Sequence, residues 1–165
     1  MKYHTIDGDI NEENTQALLE FINQNEGHAM QIGISSSGGF FDYARFVTNV
    51  LNQSKDSITL VAVGNVYSAA FRMFYEFHGA RKMTFATRGM AHHSYQTVPL
   101  TNNGIGATDE AQAAICNSRD YIRPDEIAFA ESFMFNEELE KFKQGKEVYF
   151  DFARMRQIFP NAEIV

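Results

Sequence analysis

Three short stretches of this chain combine residue types that can do chemistry. The first is Val61-Ala62-Val63-Gly64-Asn65-Val66-Tyr67-Ser68-Ala69-Ala70-Phe71. An apolar run that suits a buried strand breaks at Gly64, and Ser68 opens a hydrophobic stretch of helical character. A hydroxyl at a helix N-terminus lies beside backbone N–H groups without intrahelical acceptors and at the positive end of the helix dipole. That setting favours a negative oxygen, the species acyl transfer creates. The same position also suits a plain N-cap, a role Ser fills far more often than that of nucleophile.

The second stretch is Ser36-Ser37-Gly38-Gly39, directly after another strand candidate. Adjacent glycines let the backbone approach a ligand closely and aim an N–H at a developing oxyanion; they equally make an ordinary turn. The third is His92-His93, after Met90-Ala91. An imidazole, with an ordinary pKa of about 6.5, is a suitable base for a serine hydroxyl. A His pair can also bind metal, but no carboxylate or cysteine stands at a ligand-like spacing beside it, so neither metal nor other cofactor is expected. His4, His28 and His78 are isolated and read as surface or structural residues.

The elements that must position these groups follow from periodicity. Tyr3 to Ile6 reads as a short strand closed by Asp7-Gly8. Asn11 caps a helix whose buried face is Ala17, Leu18, Phe21 and Ile22, ended by Gly27. Met30 to Ile34 is a strand. Phe40, Ala44, Val47 and Leu51 recur at the spacing of one helical face. Ser57 to Val63 is a nearly continuous apolar run, as in a strand buried on both sides. Ser68 to Phe77 is a helix, and Met83-Thr84-Phe85 and Met90-Ala91-His92 are two more short strands. This alternation predicts an α/β fold with a largely parallel sheet. Gln96 to Gly106 reads as a loop or ribbon. Asp109 to about Lys143 is long, helical and amphipathic, interrupted near Pro124. Tyr149 to Ile158 is a helical stretch or turn, and Ala162 to Val165 a last strand.

Composition narrows the function classes. The 165 residues, 44% hydrophobic and 21% charged, suit one soluble globular domain. A formal charge of −7 with scattered Lys and Arg argues against a nucleic-acid binder, which needs clustered cations to neutralise phosphate. Cys116 is the only cysteine, so an internal disulfide is impossible and a reducing, cytoplasmic setting is expected. The polar start, Met1 to Ile10, has no signal-peptide core, and no run reaches the length of a membrane span. Ala113, Ala114, Ile115, Ile127, Phe129, Ala130, Phe133, Met134 and Phe135 are more apolar side chains than one small core can cover, which predicts a subunit interface.

In order along the chain, Ser36-Ser37-Gly38-Gly39, then Gly64 to Ser68 with Ala69-Ala70, then Met90-Ala91-His92, the motifs resemble those of the Clp-protease proteolytic subunit (ClpP) family, in the ClpP/crotonase superfamily. That family has a Ser-Pro-Gly-Gly loop, a Gly-x-x-x-Ser motif and a Met-Ile-His-like strand. Gly79-Ala80-Arg81-Lys82 also resembles its Gly-Lys-Arg step. The resemblance spans about Ile6 to Gln96 at motif level. It implies a single domain of repeated β-β-α units, with a core of about 1–96 and 145–165 and a C-terminal helical arm, or handle, of about 97–144.

By the same resemblance Ser68 attacks a peptide carbonyl, His92 takes its proton, and the backbone N–H groups of Gly38 and Ala69 form the oxyanion hole. His92 matches the strand parity of the motif better than His93. The triad acid falls at Glu147, with Asp151 as the alternative and Asp120 and Asp125 as outsiders. The implied substrate is a peptide or unfolded protein, cut inside a homo-oligomeric ring, for which the resemblance implies a double heptamer. An ATP-dependent unfoldase is an implied partner, although the chain starts almost at its first strand, without the segment that lines the pore in typical members. Two departures stand out: Ser37 replaces the loop proline, and bulky Tyr67 replaces a small residue before the serine.

Other readings remain open on sequence. Crotonase-like enzymes hold a coenzyme A thioester enolate on two backbone N–H groups and need no nucleophilic serine. Related signal-peptide peptidases use a Ser-Lys dyad, for which Lys82 is the only lysine near the motifs. A catalytically inactive structural or regulatory ring subunit is the reading outside enzymes.

Overall fold

A computed structural model describes residues 1–93 and 124–165. These form two compact units, one of residues 1–91 and 149–165 and one from within 92–148. Along the chain run β1 (Lys2–Asp7), α1 (Glu12–Gln24), β2 (Met30–Ser36), α2 (Phe41–Gln53), β3 (Ile58–Tyr67), α3 (Ala69–Glu76), β4 (Ala80–Met83), β5 (Arg88–Ala91), α4 (Pro124–Glu131), α5 (Asn136–Lys143), β6 (Val148–Phe150), α6 (Phe152–Ile158) and β7 (Glu163–Ile164). The part of the expected handle that holds Asp109, Ala113, Ala114, Ile115, Cys116 and Asp120 lies outside the described residues.

In the larger unit the strands lie in the order β1-β2-β3-β4-β7, each paired parallel to its neighbour, with β5 beside β3 and β6 beside β5. The fold is α/β with a mostly parallel sheet, as the alternation of strand and helix predicts. Ile58, Leu60, Val61 and Ala62 of β3 are all buried, the pattern of a strand covered on both faces. Gly64 does not end this strand. β3 instead changes partner there, pairing Thr59–Ala62 with β4 and then Asn65–Tyr67 with β5. On its other side the register to β2 slips between Ile34 and Ser36, which pair with Ala62 and Val66. The expected strand at Met83-Thr84-Phe85 accordingly stops at Met83, once β3 has turned towards β5, and Phe85 is exposed.

The helices follow their periodicity with local corrections. Asn11 caps α1 by accepting from the Asn14 N–H at 2.9 Å. Thr15, Leu18 and Ile22 are its buried residues, whereas Ala17 faces solvent and Phe21 is half-buried, its ring stacked on His4. In α2 the buried face is Ala44, Val47, Thr48 and Leu51; Phe40 sits one residue before the helix and is exposed. α3 buries Ala69, Ala70, Phe71, Met73 and Phe74, and Phe77 just past its end is also buried. The C-terminal segment closes over it: Phe71 lies 5.2 Å from Phe150, and Phe74 5.0 Å from Phe159, ring centre to ring centre. Each such Phe contributes about 1.5–3 kcal/mol by leaving water. The abundance of phenylalanine thus has one clear use, clamping the helix that follows Ser68.

In the smaller unit α4 begins, among the described residues, at Pro124. The long helix expected to reach Lys143 is broken between Glu131 and Asn136. There the N–H groups of Ser132, Phe133 and Met134 turn back onto Phe129 and Ala130, and Glu138 reaches back to the Phe135 N–H at 2.8 Å to start α5. Ala130, Met134 and Phe142 are buried, and Phe135 is exposed. Among the described residues no helix is long and apolar enough to cross a membrane.

Candidate active site

Ser68 occupies the single residue between β3 and α3. Its backbone has φ 54° and ψ −121°, and it is the one non-glycine at positive φ among the described residues. Such a conformation costs on the order of 1–3 kcal/mol and persists only where the surroundings enforce it. The enforcement is visible on both sides. The Ser68 N–H donates to the Met90 carbonyl at 2.7 Å, extending the Tyr67–Met90 register of β3 and β5. Its carbonyl accepts the Arg72 N–H at 3.1 Å, the first bond of α3. The side chain makes no capping hydrogen bond, so Ser68 is not the plain N-cap that its position allows. A strained serine at a sharp strand-to-helix turn is the geometry of a nucleophile elbow.

α3 is held at its far end by Arg81. Its guanidinium donates to the carbonyls of Phe74 at 2.8 Å, Tyr75 at 2.9 Å and Phe77, the carbonyls a helix leaves unpaired at its C-terminus. Burial pushes the Arg81 pKa down, with Tyr75 acting in the opposite sense.

The Gly-Gly loop presses directly on Ser68. Gly38 has φ 110°, and a Cβ there would stand 2.7 Å from Ser68 Cβ and 3.0 Å from the Tyr67 carbonyl oxygen. Gly39, at φ 143°, has no room for a Cβ against the Ile10 backbone. The loop is tied down by Ile10, whose N–H donates to Gly38 O at 2.7 Å and whose carbonyl accepts the Phe40 N–H at 2.9 Å. The Gly38 N–H itself donates to the buried Ser36 hydroxyl at 3.1 Å. Ala69 is the first residue of α3, where an N–H has no intrahelical acceptor. Ser68, Gly38 and Ala69 are therefore brought together within one unit. Tyr67 meets Tyr149 edge to face at 5.7 Å in the same unit.

His92, His93 and Glu147 belong to the other unit. His92 Nδ1 lies 2.7 Å from the His93 carbonyl oxygen. A carbonyl only accepts, so this bond puts the proton of the neutral ring on Nδ1 and leaves Nε2 with its lone pair. His93 is buried, its ring edge-on to Phe142 at 6.3 Å. Glu147 is exposed immediately before β6, and Asp125 is exposed in the first turn of α4. Asp151, in the larger unit, caps α6 by accepting the Arg154 N–H at 2.8 Å. Among the described residues no three His, Cys, Asp or Glu side chains gather as a metal site would require.

Sequence reasoning did not find the strained backbone of Ser68, the Ser36 bond to Gly38, or the helix-end role of Arg81. Only Arg81 left a trace, in the Gly79-Ala80-Arg81-Lys82 step.

No protein-family model matches the sequence, and no curated protein does. Solved structures do match over nearly the whole chain. A ClpP1 mutant from Listeria monocytogenes is 17% identical, with 99% of this chain and 91% of that one covered and a TM-score of 0.66. A peptidase from Plasmodium falciparum is 12% identical over 99% and 94% of the two chains, with a TM-score of 0.64. A protein described only as an enzyme gives 13% identity, 99% and 94% coverage and a TM-score of 0.67. The chain has a ClpP-like fold.

Proposed function

We propose that this chain is a cytoplasmic serine endopeptidase of the ClpP type, with Ser68 as nucleophile, His92 as base and Glu147, or Asp151 as the alternative, as the triad acid that takes the His92 Nδ1–H over from the His93 carbonyl. The observation that carries the reading is the backbone of Ser68, forced to φ 54° at a strand-to-helix turn with its hydroxyl withheld from capping. Ser68 Oγ adds to the peptide carbonyl carbon while its proton passes to His92 Nε2. The oxygen of the tetrahedral intermediate takes its negative charge to the N–H groups of Ala69 and Gly38, the latter exchanging the Ser36 hydroxyl for the substrate oxygen. His92 returns the proton to the leaving amine as the C–N bond breaks, and water then releases the acyl group by the same steps in reverse. The bond between Ser68 and Met90, two residues before His92, supports this pairing of nucleophile and base.

The substrates on this reading are peptides and unfolded proteins, and the chain works as a ring-forming homo-oligomer; short peptides are cut without an unfoldase. A second reading, an inactive ring subunit, draws on one observation, the occupation of the Gly38 N–H by Ser36. A fluorophosphonate probe separates the two. Labelling of the folded protein that disappears in Ser68→Ala supports the peptidase; no labelling of a folded protein supports the inactive subunit. Sedimentation of the same sample reads the assembly state.

A further inference from the structure

Two consecutive glycines make the loop that faces Ser68 the most freely deformable backbone near the site. Gly38 and Gly39 contribute no side chains, so the loop must be fixed by its neighbours. One brace is backbone, through Ile10. A second is the Ser36 hydroxyl on the Gly38 N–H, and a third is a side-chain bond: the Ser37 hydroxyl donates to Asp9 Oδ1 at 2.7 Å. Hydroxyl-to-carboxylate bonds of this length are among the stronger hydrogen bonds in proteins.

Asp9 is itself braced. Its carbonyl accepts from Asn14 Nδ2 at 2.7 Å, and Asn14 is fixed by the Asn11 cap of α1. Just before it, the Gly8 N–H donates to Ser35 O at 3.1 Å, across to the end of β2. A rigid helix start therefore reaches, through Asp9 and Ser37, to the residue next to Gly38, where an added Cβ would stand 2.7 Å from Ser68 Cβ.

We infer that Asp9 and Ser37 are a positioning pair that holds the Gly38-Gly39 loop at the distance from Ser68 that oxyanion stabilisation needs. The inference rests on the peptidase reading. Both residues are exposed, so their bond adds little to stability, whereas a small displacement of an oxyanion donor is amplified in the rate. The pair thus acts on turnover rather than on folding or substrate affinity.

The test is a double-mutant cycle read with a fluorogenic peptide, the fluorophosphonate labelling rate and thermal unfolding. Ser37→Ala and Asp9→Ala each lower kcat about tenfold with KM within about twofold, on the scale that misplaced catalytic groups produce. The double variant falls no further than either single, because the two act through one bond. Asp9→Asn, whose side-chain oxygen still accepts from Ser37, recovers most of the rate, and unfolding midpoints stay close to that of the parent. Single variants with unchanged kcat, effects that multiply in the double variant, or losses that track the unfolding midpoint overturn the inference. Absence of labelling in the parent protein overturns the peptidase reading and this inference with it; a labelled parent with unaffected variants overturns this inference alone.

Discussion

The starts of α6 and α3 pose the same problem, a run of backbone N–H groups without partners, and the chain treats them differently. At α6, Asp151 adopts extended backbone and its carboxylate takes the Arg154 N–H; at α1, Asn11 does the same for Asn14. At α3 the residue is Ser, as good a capping type as either, yet its hydroxyl makes no cap and its backbone is strained. The first two sites use a polar side chain to stabilise a helix. The third keeps a hydroxyl away from that use and accepts strain, and the stabilisation is supplied elsewhere: by Met90 on the Ser68 N–H, by Arg81 at the far end of α3, and by phenylalanines from the C-terminal segment.

Substitutions at and around these helix starts put the contrast to the test. The largest effect is expected at Gly38→Ala. Its Cβ would collide with Ser68, so peptide hydrolysis should fall by about 100-fold or more while the protein stays folded, as judged by circular dichroism. Retained activity would mean the loop does not set the geometry of Ser68. Next comes Arg81→Ala, which strips three carbonyls of a charged donor. Urea unfolding should show a loss of about 2–3 kcal/mol, near the value for hydrogen bonds to charged groups. Smallest is Asp151→Ala, a cap deletion costing about 1 kcal/mol with hydrolysis nearly unchanged. A collapse of hydrolysis in that variant, with Glu147→Gln active, would move the triad acid from Glu147 to Asp151.

How far the sequence could be read depended on whether a feature has a side-chain signature. The apolar run of β3, the face of α2 and the Asn11 cap are written in residue types, and they were legible. The partner switch of β3 at Gly64 was not, because a glycine that bends a strand and one that ends it look alike until the neighbouring strands are known. The break at Ser132 to Phe135 was missed for a similar reason: the apolar spacing continues through it while the hydrogen bonds do not. For the proposed site, types and order pointed to Ser68, Gly38 and His92, of which Ser68 and Gly38 meet within one unit. The strain at Ser68 carries no mark in the sequence, since it is imposed by β5, α3 and the Gly-Gly loop together. The bond from His92 Nδ1 to the His93 carbonyl is likewise backbone chemistry, invisible in a list of side chains.

On the proposed peptidase reading, position 68 gives up stability to present a reactive hydroxyl, and Ser68→Gly measures that exchange. Glycine accepts φ 54° without strain, so denaturant unfolding should show a gain of about 1 kcal/mol over the parent, with fluorophosphonate labelling and peptide hydrolysis abolished. A variant that instead loses stability, as a deleted helix cap would, and still hydrolyses peptide would show that Ser68 is a cap and not a nucleophile.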